Sequence, residues 1–243
     1  DSANPLWYNR LVPREGAKSM KQTKQMSESI RLGMLLAISG GFMDAYSYIA
    51  RDHVFANAQT GNMLLLGVSL SEGNFQSAAR YFFPVLAFAL GIVLAELVRR
   101  GKNRLLHWRQ GAVLIEAAIL AGVSFFPFSM NLLANSLTSF ACGIQVESFR
   151  KIRGNGMTTT MCIGNLRSGT QNFYCYFQSR DTNDLVSSAL YFGIILCFII
   201  GAILGNFAIK YLGERAILCC SVLLFLAFAM MFIDYEHDSR HQV

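Results

Sequence analysis

The chain has 243 residues, of which 53% are hydrophobic and 15% are charged, and its formal net charge is +6. Charged residues make up about a quarter of a typical soluble domain, so this composition excludes an ordinary soluble protein. The basic residues lie in short runs beside apolar segments, as in cytoplasmic membrane loops. The composition therefore predicts a protein whose partner is the lipid bilayer, and it gives no signal for nucleic-acid binding.

The predicted elements are all helical. Membrane helices need about 17–25 mainly apolar residues. We predict six such spans, in chain order at about 31–50, 81–98, 111–128, 132–149, 186–207 and 216–233. Two shorter segments, at about 56–70 and 158–172, each begin near a Gly-Asn pair and predict half-helices that enter the membrane without crossing it. The predicted fold class is thus all-α, a polytopic membrane helix bundle with six long spans and two re-entrant half-helices.

We expect one membrane domain at 30–233, between a polar cytoplasmic tail at 1–29 and a C-terminal tail at 234–243. The first tail has no apolar core of the kind found in a secretory signal peptide. The stretch Leu11-Val12-Pro13-Arg14 resembles a protease site from an expression vector. Whether residues 1–19 are native is therefore left open.

A repeated pattern divides the domain into halves, at about 30–129 and 130–233. With an offset of 103 residues, Gly40 falls on Gly143, Asp44 on Glu147, Gly61 on Gly164 and Asn62 on Asn165. With an offset of 110, the stretch from Tyr81 to Leu94 matches the stretch from Tyr191 to Leu204. The shared order of these features predicts a gene duplication.

The distribution of Lys and Arg indicates that the two halves are inverted. If the N-terminus is cytoplasmic and both short segments are re-entrant, 17 of the 21 basic residues lie inside, and only Arg51, Arg80, Lys210 and Arg215 lie outside. If both short segments cross, the best division is 11 to 10. The positive-inside rule favours the first arrangement, which predicts a multi-pass protein of the inner, or plasma, membrane.

Asp44 and Glu147 are the strongest candidates for a functional site. Each lies inside an apolar span, and an acid at mid-membrane costs roughly 2.5 kcal/mol or more, so such acids often mark a proton or ion path. The structural alternative is that they are neutral or paired acids that lock helices together. Arg150 follows Glu147 by three residues, so a local ion pair there is a further alternative.

The two Gly-Asn segments are candidate solute-binding elements. Thr60, Gly61 and Asn62 precede an apolar helical run, and Gly164 and Asn165 stand at the equivalent place in the second half. Thr is a common helix cap, and the start of a half-helix presents free N–H groups and a positive dipole end to a solute. The alternative is a tight helix contact with an interhelical hydrogen bond.

Other polar residues in the spans carry weaker signals. Gln145 lies one helical turn before Phe149 and is expected to add a hydrogen bond to a solute. Glu116 falls on Cys220 in the repeat, and its reading is divided between an interfacial position and a role in function. Arg167 has two equally favoured interpretations: it binds an anionic group, or it faces the cytoplasm. Gly40 and Gly41 are expected to let helices cross closely.

The residues at 40–45, the segment from Phe55 to Gly67 around Thr60-Gly61-Asn62, and the later Thr158 to Asn165 resemble the YoaK family of bacterial integral membrane proteins of unknown function. The resemblance covers roughly residues 30–233. It implies a membrane location and a membrane fold. It also implies a suspected role in transport, but it names no substrate. The second motif departs from the family pattern, because Ile163 precedes Gly164 where a threonine is expected.

The expected function is a small-solute transporter or channel with a polar site between two repeats, coupled to a proton or another cation. A non-transporting membrane scaffold or accessory subunit is the main alternative. A membrane enzyme is less favoured, because we find no nucleophile–base pair, His/Glu metal motif or phosphate loop. The six cysteines have no metal-ligand spacing, so we expect no metal and no cofactor. The expected partner is a small polar or ionic solute, and the sequence leaves homo-oligomerisation open.

Overall fold

A computed structural model describes residues 30–100, 108–150 and 156–239, and describes no side chains from 232 onwards. This part of the chain contains eight α-helices and no strand, so the all-helical prediction is confirmed. The helices are α1 (Ile30–Ala50), α2 (Gln59–Ser71), α3 (Phe75–Arg100), α4 (Trp108–Val123), α5 (Asn131–Ser148), α6 (Cys162–Ser179), α7 (Thr182–Leu212) and α8 (Ile217–Ser239). Short 3₁₀ turns at Phe128–Met130 and Gly213–Ala216 precede α5 and α8.

Three helical stretches in this part of the chain are long and apolar enough to cross a membrane: Ile30–Ala50, Phe75–Arg100 and Thr182–Met231. The last includes both α7 and α8, which were predicted as separate spans. The segments predicted at 111–128 and 132–149 do not qualify, since α4 has 16 residues and α5 is rich in Asn, Ser and Thr. The predicted tail at 1–29 lies outside the described residues, and α8 continues past the predicted boundary at 233.

Helix packing brings distant parts of the chain together. Helix α1 packs mainly on α7, and α3 packs mainly on α5. Helix α4 lies between α5 and α8, while the shorter helices α2 and α6 lie against α3 and α7, respectively. The main core is formed by buried side chains of α1, α4, α5 and α8, with Leu36, Leu120 and Leu224 fully inaccessible.

Glycines make the two principal crossings close. A Cβ on Gly41 would stand 1.9 Å from the Phe198 carbonyl oxygen of α7, and one on Gly143 would stand 2.2 Å from the Phe88 carbonyl oxygen of α3. Gly201 and Gly91 face the partner backbones in the same way. Only a residue without a Cβ permits backbones to approach so closely. The close approach expected for the Gly40-Gly41 pair is present, with Gly41 at the α1–α7 crossing.

One end of the bundle is closed by a buried arginine. Arg51 is fully inaccessible and donates to the backbone oxygens of Phe126 at 2.7 Å and Pro127 at 3.2 Å. It also donates to Asn131 Oδ1 and to the Tyr46 hydroxyl, and that hydroxyl donates to the Glu214 backbone oxygen. The ends of α1, α4 and α7 therefore lie together at this end of the molecule, which we call the Arg51 end.

Candidate functional site

Two non-helical segments, 51–58 before α2 and 156–161 before α6, reach the interior of the bundle. Val54 and Ala56 of the first segment are buried, and Met157 of the second packs with Ala37 and Tyr191. Non-helical backbone at membrane depth is tolerated where protein surrounds it or where it lines a cavity. Each segment therefore has the environment that the interruption of a membrane helix needs, and we call 51–58 and 156–161 the broken segments.

Both segments meet α1 at Gly40, the middle residue of this 21-residue helix. The Asn57 amide nitrogen donates to the Gly40 backbone oxygen at 3.2 Å. On the other side, a Cβ on Gly40 would lie 2.7 Å from Thr160 Cγ2. The absence of a side chain at Gly40 is what allows the second segment to approach. Gly40 therefore serves this contact, while Gly41 serves the helix crossing.

Asp44 lies one helical turn further along α1 and is 9% exposed. Its Oδ1 accepts a hydrogen bond of 2.7 Å from the Asn57 backbone N–H, just before the start of α2. Ala58 is the N-cap of α2 and supplies no side-chain hydrogen bond. A carboxylate is favoured near this end because the first N–H groups of a helix are unpaired and the dipole is positive there. Asp44 thus supplies the negative charge that the start of α2 lacks.

Gln145 reaches the same face of α1 from α5. Its side chain is fully buried, and its amide nitrogen donates to the Leu36 backbone oxygen at 3.2 Å. Leu36, Gly40 and Asp44 follow one another at intervals of four residues, so the partners of Gln145 and Asn57 lie along one stripe of α1. We call the set Gly40, Asp44, Asn57, Gln145 and Thr160 the central junction.

Several oxygens of the central junction are buried without a hydrogen-bond partner. They are Asn57 Oδ1, Gln145 Oε1 and Thr160 Oγ1. Buried polar atoms are nearly always paired, and unpaired ones call for a water, an ion or a functional reason. These oxygens and the Asp44 carboxylate can accept hydrogen bonds from a solute or coordinate a cation.

Asn62 and Asn165 play a shared local role. Asn62 is fully buried, donates to the Phe55 backbone oxygen at 2.7 Å and to Gln59 Oε1 at 2.8 Å, and accepts from the Phe55 N–H at 3.0 Å. Asn165 donates to the Thr158 backbone oxygen at 2.7 Å. Each amide therefore holds a backbone oxygen seven residues earlier and fastens its broken segment to the helix that follows. A solute contact by either amide stays a prediction.

The remaining predicted site residues lie in different surroundings. Thr60 is exposed and does not cap α2, because the N-cap position that we expected for Thr60 is occupied by Ala58. Gly61 makes room for the Phe55 ring, which would lie 2.7 Å from an added Cβ, whereas Gly164 faces open space. Glu147 forms an ion pair of 3.3 Å with Arg150. The alternative of a local Glu147–Arg150 pair is thus the one observed, while a role in solute or ion binding stays a prediction.

Sequence reasoning missed Asn57, which contacts Gly40 and Asp44, and did not predict the burial of Glu116. Asn57 falls on Thr160 at the offset of 103 residues that relates Asn62 to Asn165, so the repeat itself carried a signal for this position. The interfacial alternative for Glu116 is wrong, because its side chain is completely buried. Among the described residues no group of three or more His, Cys, Asp or Glu side chains forms a metal site.

Residues 32–230 match the family described as "Protein of unknown function (DUF1275)". The chain belongs to this family. It is also 27% identical over 180 residues to the UPF0700 transmembrane protein YoaK of Bacillus subtilis (strain 168), in an alignment that covers 70% of this chain and 79% of the relative. The predicted membership of the YoaK family is thus confirmed, and the relative supports a membrane protein. No solved structure matches the chain.

Proposed function

We propose that this member of the DUF1275 family is a small-solute transporter or channel of the bacterial inner membrane. The observation that carries the proposal is the central junction, where Asp44 and three side chains with a buried, unpaired oxygen lie along one stripe of α1 beside two broken segments. In inverted-repeat transporters, substrates and coupling ions bind where discontinuous helices meet near the midplane. The solute is small and polar or ionic, and Asp44 handles a proton or another cation.

The proposal includes six crossings in two inverted halves. The Arg51 end supports it, because the ends of α1, α4 and α7 lie on the same side only if α2 and α6 turn back. Asp52 and Arg80 approach to 4.0 Å, which places the start of α3 at that end as well. The Arg51 end faces outward and the N-terminus is cytoplasmic, as the positive-inside rule requires.

The packing of the two halves gives further support. The first helix of each half crosses the third helix of the other half, which is its second long span, at a glycine pair, Gly41 with Gly201 and Gly143 with Gly91. This exchange is what a two-fold axis in the membrane plane would generate. The matching crossings align Gly41 with Gly143, at an offset of 102 residues, so Asp44 corresponds to Val146. In this alignment only the first half carries an acid at the central junction. We propose that the solute moves when one half rocks against the other.

The uptake experiment compares two Asp-to-Asn variants. A thermal-shift screen against metabolites and ions identifies a stabilising solute, since a ligand that binds the native state raises its stability. Uptake of that solute into proteoliposomes is then measured for wild type, Asp44→Asn and Asp52→Asn. We expect Asp44→Asn to lose uptake or its ion coupling and Asp52→Asn, in the loop at the Arg51 end, to retain both. Equal uptake by Asp44→Asn and wild type would remove Asp44 from the mechanism.

A non-transporting scaffold is the second candidate. It is favoured because the Asn62 amide nitrogen already donates to the Phe55 backbone oxygen and to Gln59 Oε1, and so is not open to a solute. A scaffold predicts that no metabolite or ion stabilises the purified protein. It also predicts that Asp44→Asn changes only the stability of the protein.

A further inference from the structure

Glu116 is a buried acid outside the central junction. It lies on the inner face of α4 with Val113 and Leu120, which are fully inaccessible like Glu116 itself. The outer face of the same helix, with Leu114, Ala118 and Ala121, lines an open apolar groove of about 350 Å³ between α4 and α8. The carboxyl group therefore points into the protein and away from this groove.

Both carboxyl oxygens of Glu116 are without a hydrogen-bond partner. None of the ion pairs formed by described residues includes Glu116. A carboxylate in an apolar interior is very costly without a cationic or hydrogen-bonding partner, and such a group takes up a proton instead. In this conformation the Glu116 carboxyl is therefore neutral.

Among the described residues, two buried thiols interact with the Glu116 carboxyl. Cys142 of α5 and Cys220 of α8 are both buried and close enough to interact with the carboxyl electrostatically. Cys142 also interacts with Asp44 of α1. The ionised residues of α3 and α5 that are described near the other end, such as Glu96 and Glu147, are engaged with neighbouring arginines.

The groups around Glu116 favour a proton over a metal cation as its ligand. A metal cation of the Na⁺, Mg²⁺ or Ca²⁺ type needs several oxygen ligands, whereas the groups identified beside Glu116 are thiols and apolar side chains. A proton needs only one carboxylate oxygen. Cys142 interacts electrostatically with both Glu116 and Asp44, and so relates this acid to the central junction.

We propose that Glu116 is a second proton-binding site, which releases its proton to water when the bundle opens and takes one up from hydronium before it closes. The inference deepens the proposed function, on which it rests for the use of the proton as coupling ion. Each cycle converts one buried carboxyl and one water into a carboxylate and a hydronium ion, and the reverse step restores them. Proton movement is coupled to transport because the Glu116 carboxyl is buried in the closed conformation and reached by water in the open one.

The test is infrared difference spectroscopy of the protein in liposomes at a series of pH values, without any solute. Wild type and Asp44→Asn should show a protonated-carboxyl band that disappears reversibly as the pH rises, while the helical amide signal stays unchanged. Glu116→Gln should lack this band. Glu116→Met, which fills the site with an apolar chain of similar size, serves as a second variant if the glutamine variant fails to fold.

Two results would overturn the proposal: an unchanged band in a folded Glu116 variant, or a Glu116 band that stays constant over the whole pH range in which the fold is intact. The second result would mean that the acid is permanently sealed. The experiment is independent of the uptake assay. A titrating Glu116 together with unchanged uptake by Asp44→Asn would preserve the proton site and contradict the assigned role of Asp44.

Discussion

At the scale of single residues, similar side chains have unequal roles because their hydrogen bonds differ. Asn62 makes two hydrogen bonds with Phe55 of its broken segment and one with Gln59 of α2, whereas one is described for the Asn165 side chain. The repeat in the sequence predicted that the two asparagines are equivalent, and their reach back over seven residues is indeed the same. Their partners could not be predicted, since these depend on the path of each loop. The acids differ still more, because Asp44 meets the start of α2 and Glu147 meets Arg150.

We expect Asn62→Ala to destabilise the protein more than Asn165→Ala does. Each lost hydrogen bond that leaves a buried partner unpaired costs about 1–3 kcal/mol, and Asn62 leaves several such partners. Thermal unfolding of the purified variants in detergent measures the difference. Asn172→Ala, which removes a half-buried amide from the surface of α6, is the control. A greater loss of stability in Asn165→Ala than in Asn62→Ala would contradict the assignment.

Arg51 was predicted as an outer-loop residue, and its complete burial could not be read from its neighbours Asp52 and His53. We expect Arg51→Met to lower the melting temperature strongly, because two backbone oxygens and Asn131 lose their donor. Each buried acceptor that is left unpaired costs about 1–3 kcal/mol, and Arg51 leaves several of them. The matched control is Arg80→Met, whose ion pair is partly exposed and is worth at most about 1 kcal/mol. Equal effects of the two substitutions would refute the role of Arg51.

At the scale of helices, apolar length predicted the spans better than it predicted their partners. Segments 31–50 and 81–98 correspond to α1 and α3, because long apolar runs can be read directly from composition. The crossings depend on glycines whose facing backbone is distant in the chain, such as Phe198 opposite Gly41. The sequence offset placed Gly40 on Gly143, but it is Gly41 that makes the equivalent crossing. A difference of one residue is enough to remove Glu147 from the place that Asp44 takes in the first half.

We expect Gly41→Ala and Gly143→Ala each to weaken helix packing. The added methyl would meet a backbone oxygen at 1.9 Å or 2.2 Å, and overpacking of this kind costs about 1–3 kcal/mol. Gly122→Ala and Gly193→Ala are the controls, because an added Cβ there has open space around it. Melting curves should separate the two pairs. Crossing variants as stable as the controls would show that the backbones are further apart than described.

At the scale of the whole molecule, the proposed inverted topology depends on the direction in which each helix crosses the membrane. Composition predicted a membrane protein, and the distribution of Lys and Arg predicted that both short segments turn back. The proposed topology rests on the contact of Arg51 with the turn after α4. The central junction could not be predicted as a unit, since it combines residues of α1, α5 and two loops. Asp44 and Gln145 were recognisable from the sequence as polar residues within apolar spans, whereas Asn57 was not.

Cysteine accessibility tests this arrangement most directly. Single cysteines are introduced at Phe75, Phe125 and Gln178, which are exposed near the ends of α3, α4 and α6, after the partly exposed native cysteines have been replaced by serine. An impermeant maleimide is then applied to intact cells and to inverted membrane vesicles. The inverted arrangement predicts that positions 75 and 125 are labelled only from outside and position 178 only from the cytoplasmic side. Labelling of all three positions from the cytoplasmic side would mean that both α2 and α6 cross the membrane, and it would contradict the inverted arrangement.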